Sequence, residues 1–213
     1  MLFQVYQQLF DSYGPQNWWP AKTPFEMMIG AILTQNTSWT NVEKALAQFE
    51  IPFEPQALLK LSNQELIDWI RPSGFFNQKS ERLKLLAQWF LQYDGDVTII
   101  QQHPAEDIRK ALLSLKGVGP ETADSIMLYA FEWPFFVVDA YTRRIFSRLG
   151  YPVPKDYEAF RLQIEADLNR PSPSFYNEFH ALIVYHAKEH CTKKPKCAFC
   201  PLTALCQYPL QMA

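Results

Sequence analysis

The sequence predicts an all-α fold, and three observations predict it. Apolar residues recur at helical spacing nearly throughout the chain. Helix-start signals stand ahead of several of these segments, as at Thr23-Pro24-Phe25-Glu26 and Ser62-Asn63-Gln64-Glu65. The only β-like runs, residues 97–100 and 135–138, are short and isolated, so no strand pair emerges. A hydrophobic content of 48% in 213 residues is enough to close one large domain or two small lobes. The net charge of −2 excludes a global positive field, so a nucleic-acid ligand would have to be held by local basic patches. No uncharged apolar stretch approaches the roughly 18 residues of a membrane span. The first segment lacks the basic start of a signal peptide.

The elements follow in order. Leu2, Val5, Tyr6, Leu9, Phe10 and Tyr13 form one apolar face, with Gly14 suited to the C-terminal cap. A loop carrying Trp18-Trp19-Pro20 follows. Thr23 then caps a second helix with Pro24 at its first position, and Glu26 completes a capping box. That helix turns Phe25, Met28, Ile29, Ile32 and Leu33 inward and ends near Thr34. After the polar turn Gln35-Asn36-Thr37-Ser38, Ser38 can cap a helix over 39–49. Ser62 and Glu65 form a second capping box for 65–70, and Arg71-Pro72-Ser73-Gly74 is a turn. Helices are expected over 77–93, 105–114, 140–149, 157–168 and 175–190.

Between residues 115 and 139 the spacing carries chemistry. Lys116-Gly117-Val118-Gly119 is a tight turn between two helical segments, in which both glycines can take positive φ and allow a close approach. The turn opens a helix with Pro120 and Glu121 in its first turn, and the free N–H groups of such an end suit a phosphate. Val118 can plug the turn into the core. The plain alternative is a helix–helix corner. The apolar run 135–138 then delivers one acid, Asp139, to the start of the next helix, where it is also a good N-cap.

All four cysteines fall at the C-terminal end. Cys191, Cys197, Cys200 and Cys206 give C-x5-C-x2-C-x5-C, a clustering that argues for a metal site in a reducing compartment rather than a disulfide framework. Four thiolates so spaced can wrap one zinc ion or one [4Fe–4S] cluster. The spacer holds Lys193, Lys194 and Lys196, and a braced loop presents lysines to a phosphate backbone at low entropic cost.

Leu115, Gly117, Val118, Gly119, Thr122, Ala123, Val138 and Asp139 resemble the helix–hairpin–helix and Gly/Pro…Asp signature of the endonuclease III superfamily of DNA base-excision glycosylases. The resemblance implies two helical lobes with a DNA-binding cleft: one over 22–133 that ends in the hairpin, the other from 1–21 with 134–213, including the cluster loop 191–206. It implies a hairpin that binds a DNA phosphate through Lys116, Gly117, Val118 and Gly119, and a catalytic Asp139. It favours [4Fe–4S] over zinc, although the family spacing is C-x6-C-x2-C-x5-C and the first spacer here is one residue short. Bifunctional members carry a lysine where this chain has Glu121. That substitution points to a monofunctional glycosylase without a lyase step, because a carboxylate cannot form a Schiff base; Glu121 would contact the base or serve the helix end.

An enzyme acting on one base of a duplex must extrude it and fill the gap. Gln35 matches the polar wedge of the family and Phe75 the apolar one, with Lys79 and Arg82 as phosphate contacts on the following helix. Ile-Leu-Thr-Gln-Asn-Thr, Trp-Trp-Pro and Arg-Pro-Ser-Gly-Phe-Phe-Asn-Gln-Lys are most similar to the third bacterial type of 3-methyladenine DNA glycosylase, which sandwiches the flipped base between rings matching Trp18, Trp19 and Trp39. Some members of that branch lack a cluster. The resemblance thus implies removal of an alkylated purine from double-stranded DNA by a monomer, in the cytoplasm at the nucleoid. The alternatives are another lesion (mismatched uracil or thymine, or an oxidised pyrimidine) or a DNA-binding protein with a cluster and no catalysis.

Overall fold

The structure is a computed structural model that describes residues 1–18, 21–169 and 171–208. The described residues are all-α, with no strand among them. The chain divides into two compact units, one of Trp19–Trp133 and one of Met1–Trp18 with Pro134–Ala213.

The first of these units holds α2 (Pro24–Leu33), α3 (Trp39–Leu46), α4 (Pro55–Lys60), α5 (Asn63–Ile70), a 3-10 turn at Arg71–Ser73, α6 (Phe76–Leu91), α7 (Val97–Ile100), α8 (Ala105–Ser114) and α9 (Pro120–Tyr129). Its centre is α2, in which every residue after Pro24 is buried, as suits a helix apolar on all sides. It packs against α3, α6 and α9. Thr23 accepts a hydrogen bond from Glu26 N at 3.1 Å, but Glu26 reaches back to Lys22 N at 2.7 Å, one residue beyond the capping-box partner. The Ser62–Glu65 box forms in full. Ser38 takes its N-cap position without a side-chain capping bond, and α3 stops at Leu46. The β-like run 97–100 is a short helix because Asp96 caps it, accepting from Thr98 N at 2.8 Å. Arg109 on α8 and Asp124 on α9 form a buried, two-pronged ion pair (2.6 and 3.2 Å) that joins the two arms of the hairpin.

The other unit holds α1 (Leu2–Tyr13), α10 (Ala140–Arg148), α11 (Tyr157–Asp167), α12 (Pro173–Glu189) and the cysteine loop. Both α1 and α10 pack on α12. Aromatic rings dominate its core: Phe136 meets Tyr176 and Phe179 edge-on, and Phe146 meets Phe160. The run 135–138 is extended and wholly buried, and side chains of α11 stand in for a strand partner. Phe136 N donates to Glu165 Oε1 at 2.9 Å, and Val138 N donates to the Tyr157 hydroxyl at 3.2 Å. Glu165 is itself held by Arg161 at 2.7 Å, whose guanidinium lies over the Phe135 ring. These tethers fix the segment that leads into Asp139.

Candidate active site

Asp139 is the N-cap of α10. Its Oδ1 accepts from Thr142 N at 2.7 Å, and its Oδ2 stands 3.5 Å from His180 Nε2 on α12. Burial acts to raise its pKa, but His180 and the capping N–H outweigh burial, so the carboxyl titrates below its ordinary range and stays ionised. Trp18 is half-buried and stacks on the His180 ring, with centroids 5.4 Å apart. The structure therefore brings together Trp18, His180 and Asp139 within one unit. Trp39 opens α3 in the other unit and is half-buried. Trp19 lies outside the described residues. The sequence reading found Asp139 and Trp18 but gave His180 no role; a histidine inside the apolar run Phe-His-Ala-Leu-Ile-Val was the available signal.

The turn before α9 is built as its glycines suggest, with one difference. Gly117 has φ +86°, which requires glycine, and a Cβ there would stand 2.1 Å from Arg82 Nε, so a side chain would also displace the guanidinium that lies against it. Gly119 is instead the extended N-cap of α9, and nothing lies within 4 Å of a Cβ built on it. Positive φ is not its reason; it leaves open space at the helix start. Val118 is buried, as expected of a plug. Lys116 and Glu121 are exposed, and Lys116 meets Glu81 at 3.1 Å in a solvated pair worth little.

Both wedge candidates adjoin α6, Phe75 as its N-cap residue and Gln35 through Arg82. The Gln35 amide donates to Gly117 O and to Thr122 Oγ1, each at 3.0 Å, and accepts from Arg82 Nη1 at 2.5 Å. Arg82 is thus committed to Gln35 and the hairpin. Phe75 is 60% exposed, a high value for a phenylalanine, and is pushed outward by positive φ at both Gly74 (+68°) and itself (+47°). That is a strained conformation for a bulky residue. Lys79 departs from its expected role as a phosphate contact. It is 1% exposed, and its ammonium donates to Leu33 O at 2.8 Å and Ser73 O at 2.7 Å. Burial pushes its pKa down to about 8, with Arg82 adding to the effect.

All four cysteines line one cavity, together with Ile145 and Arg148 of α10 and His186 of α12. Arg148 Nη1 donates to Cys191 Sγ at 3.1 Å and to Thr192 O at 2.7 Å, and Arg144 holds Cys191 O at 2.8 Å. Burial pushes the Cys200 and Cys206 thiols up, and the neighbouring cysteines add to it. Four sulfurs crowded in one desolvated cavity are a donor set whose repulsion a cationic centre would relieve. This fits a zinc ion held by four thiolates or a cubane cluster, although among the described residues no three Cys, His, Asp or Glu side chains stand arranged to hold a metal ion. Lys193, Lys194 and Lys196 are exposed on this braced loop.

Comparison with known proteins bears on these features. A family model described as HhH-GPD superfamily base excision DNA repair protein matches residues 29–169. A provisionally named DNA repair glycosylase of Methanocaldococcus jannaschii is 43% identical over 211 residues, covering 97% of this chain and 96% of the relative. Endonuclease III of Escherichia coli is 30% identical over 190 residues, covering 87% and 84%. Among solved structures, the H. pylori 3-methyladenine DNA glycosylase MagIII bound to 1,N6-ethenoadenine is 30% identical with a TM-score of 0.75, covering 88% of this chain and 97% of that one.

Proposed function

This chain belongs to the HhH-GPD superfamily of base excision DNA repair proteins and is a DNA N-glycosylase, and we propose that it is monofunctional and removes an alkylated purine of the 3-methyladenine kind. The observation that supports this most is the packing of Trp18 on His180, which in turn meets the ionised Asp139. An N3- or N7-alkylated purine is cationic and already a good leaving group. It needs an electron-rich aromatic face more than a strong acid, at about 0.5–2 kcal/mol per cation–π contact. Trp18, Trp19 and Trp39 are the rings assigned to it. Asp139 then stabilises positive charge growing on the sugar and orients the attacking water. Glu121 cannot form a Schiff base, so the product is an abasic site without strand cleavage.

The substrate is double-stranded DNA containing a damaged base, engaged by a monomer at the nucleoid. Gln35 and Phe75 fill the vacated stack, and the open start of α9 receives a phosphate. The cysteines hold a [4Fe–4S] cluster in preference to zinc. When bound, the cluster supplies a structural brace; Arg144 and Arg148 orient the lysine-bearing loop around it. Iron at four atoms per chain is the expected analysis, and zinc in its place would overturn this choice.

A second reading has its own support. The 30% identity to E. coli endonuclease III over 87% of the chain favours an endonuclease III-like lesion, either an oxidised pyrimidine or a mismatched uracil or thymine. One experiment separates the two: base release from methylated DNA and from duplexes with these other lesions, wild type beside Asp139→Asn, with chromatography of the freed bases. Release of 3-methyladenine that Asp139→Asn abolishes supports the first reading. Release confined to pyrimidines supports the second. Borohydride trapping of a covalent DNA adduct would refute the monofunctional mechanism under either.

A further inference from the structure

We infer that Lys79 is the positioning residue of strand invasion, a buried clamp that holds the Gln35 and Phe75 segments in fixed register. Its ammonium takes Leu33 O, the last carbonyl of α2, and Ser73 O, the last carbonyl of the 3-10 turn. Gln35 follows the first carbonyl by two residues, and Phe75 follows the second by two residues. One cation therefore bolts the bases of both segments together. Helix C-terminal carbonyls are left without intrahelical donors, and the Lys79 ammonium supplies one to each of these two. One turn further along α6, Arg82 secures the Gln35 side chain itself and lies against Gly117. Lys79 touches neither DNA nor the reacting atoms, and a lysine is rarely as buried as this without a carboxylate partner. Two carbonyls that need a donor, on the two segments that enter the stack, account for its place.

This role rests on Gln35 and Phe75 being the residues that enter the stack, and the test separates the two claims without requiring the lesion to be known. The probe is a duplex with a tetrahydrofuran abasic site flanked by 2-aminopurine, whose fluorescence reports a side chain entering the gap. Wild type is expected to change the fluorescence on binding. Gln35→Ala with Phe75→Ala should abolish the change; if it persists, the wedge reading fails. Lys79→Met should bind the probe with affinity within about threefold of wild type, because phosphate contacts supply most of the affinity. It should nevertheless weaken the fluorescence change about tenfold, the scale of leaving buried carbonyls without a donor. Should Lys79→Met not fold, Lys79→Gln is read instead; its amide reaches one carbonyl, and part of the change is expected to return. A full fluorescence change in a folded Lys79 variant, with the Gln35/Phe75 double variant silent, overturns the clamp. A merely structural lysine would lower the melting temperature and leave the fluorescence change at saturation untouched.

Discussion

Asp139 divides its two oxygens between two tasks. One caps α10 through Thr142 N, and the other faces His180. Asparagine also caps helices, so Asp139→Asn keeps the fold while removing the charge, which makes it a clean probe of catalysis. Lys79 makes a contrasting prediction about pH. Its pKa is about 8 in the folded chain, against roughly 10.4 when unfolded. Well below pH 8 both states are protonated, and burial of the ammonium weighs against the fold. Between the two values the unfolded chain holds more protons, so this cost fades as pH rises. Urea unfolding at pH 7 and pH 9.5 should therefore show wild type gaining stability relative to Lys79→Met at the higher pH. An unchanged difference would mean that Lys79 is not buried as a cation. Asp139 was legible in the sequence because residue type and position agree: an N-cap acid after an apolar run. Lys79 and His180 were not. Lys79 is paired with a carbonyl 46 residues away, and no local pattern distinguishes a buried lysine from a solvated one.

At the scale of elements, the hairpin depends on a pair that its glycines do not reveal. Arg109 and Asp124 lock α8 to α9 with both side chains buried. Removing one partner of a buried pair costs about 3–5 kcal/mol, whereas replacing both with apolar residues is often close to neutral. Arg109→Met is expected to lose that much by urea titration, and Arg109→Met with Asp124→Leu to recover most of it. If the double substitution is as unstable as the single one, the pair contributes more than mutual neutralisation. The sequence announced most helices through caps and period, and Ser62–Glu65 forms as read. It missed α4, which has only six residues and so too short a period to register. It could not show that the run 135–138 is held by Glu165 and Tyr157, because those partners lie 29 and 19 residues further on.

For the whole molecule, electrostatics sets the terms of DNA binding. A net charge of −2 cannot draw a polyanion from a distance, so affinity must come from a few placed cations and helix ends. Lys79 is withdrawn into the interior, and Arg82 is committed to Gln35, which leaves the cysteine loop as the most concentrated exposed positive charge that the sequence reading singled out. Its backbone is held by Arg148 at Thr192 O and Lys193 O, so Lys193, Lys194 and Lys196 stand on a braced strap rather than a floppy one. Each phosphate neutralised contributes ~0.9 to the slope of log K against log salt. Replacing all three lysines with glutamine should therefore flatten that slope by up to about 2.7 and weaken binding evenly across DNA sequences. If the cysteines hold a metal, as proposed, stripping it from the wild-type protein should flatten the slope by a comparable amount, since the lysines would keep their charge but lose their placement. Fluorescence titrations over a range of salt concentrations distinguish the cases. A slope reduced by the lysine substitutions but untouched by metal removal would show that Arg144 and Arg148 brace the loop without a metal. A slope unaffected by either would move the phosphate contacts to the hairpin, the place proposed for one at the open start of α9.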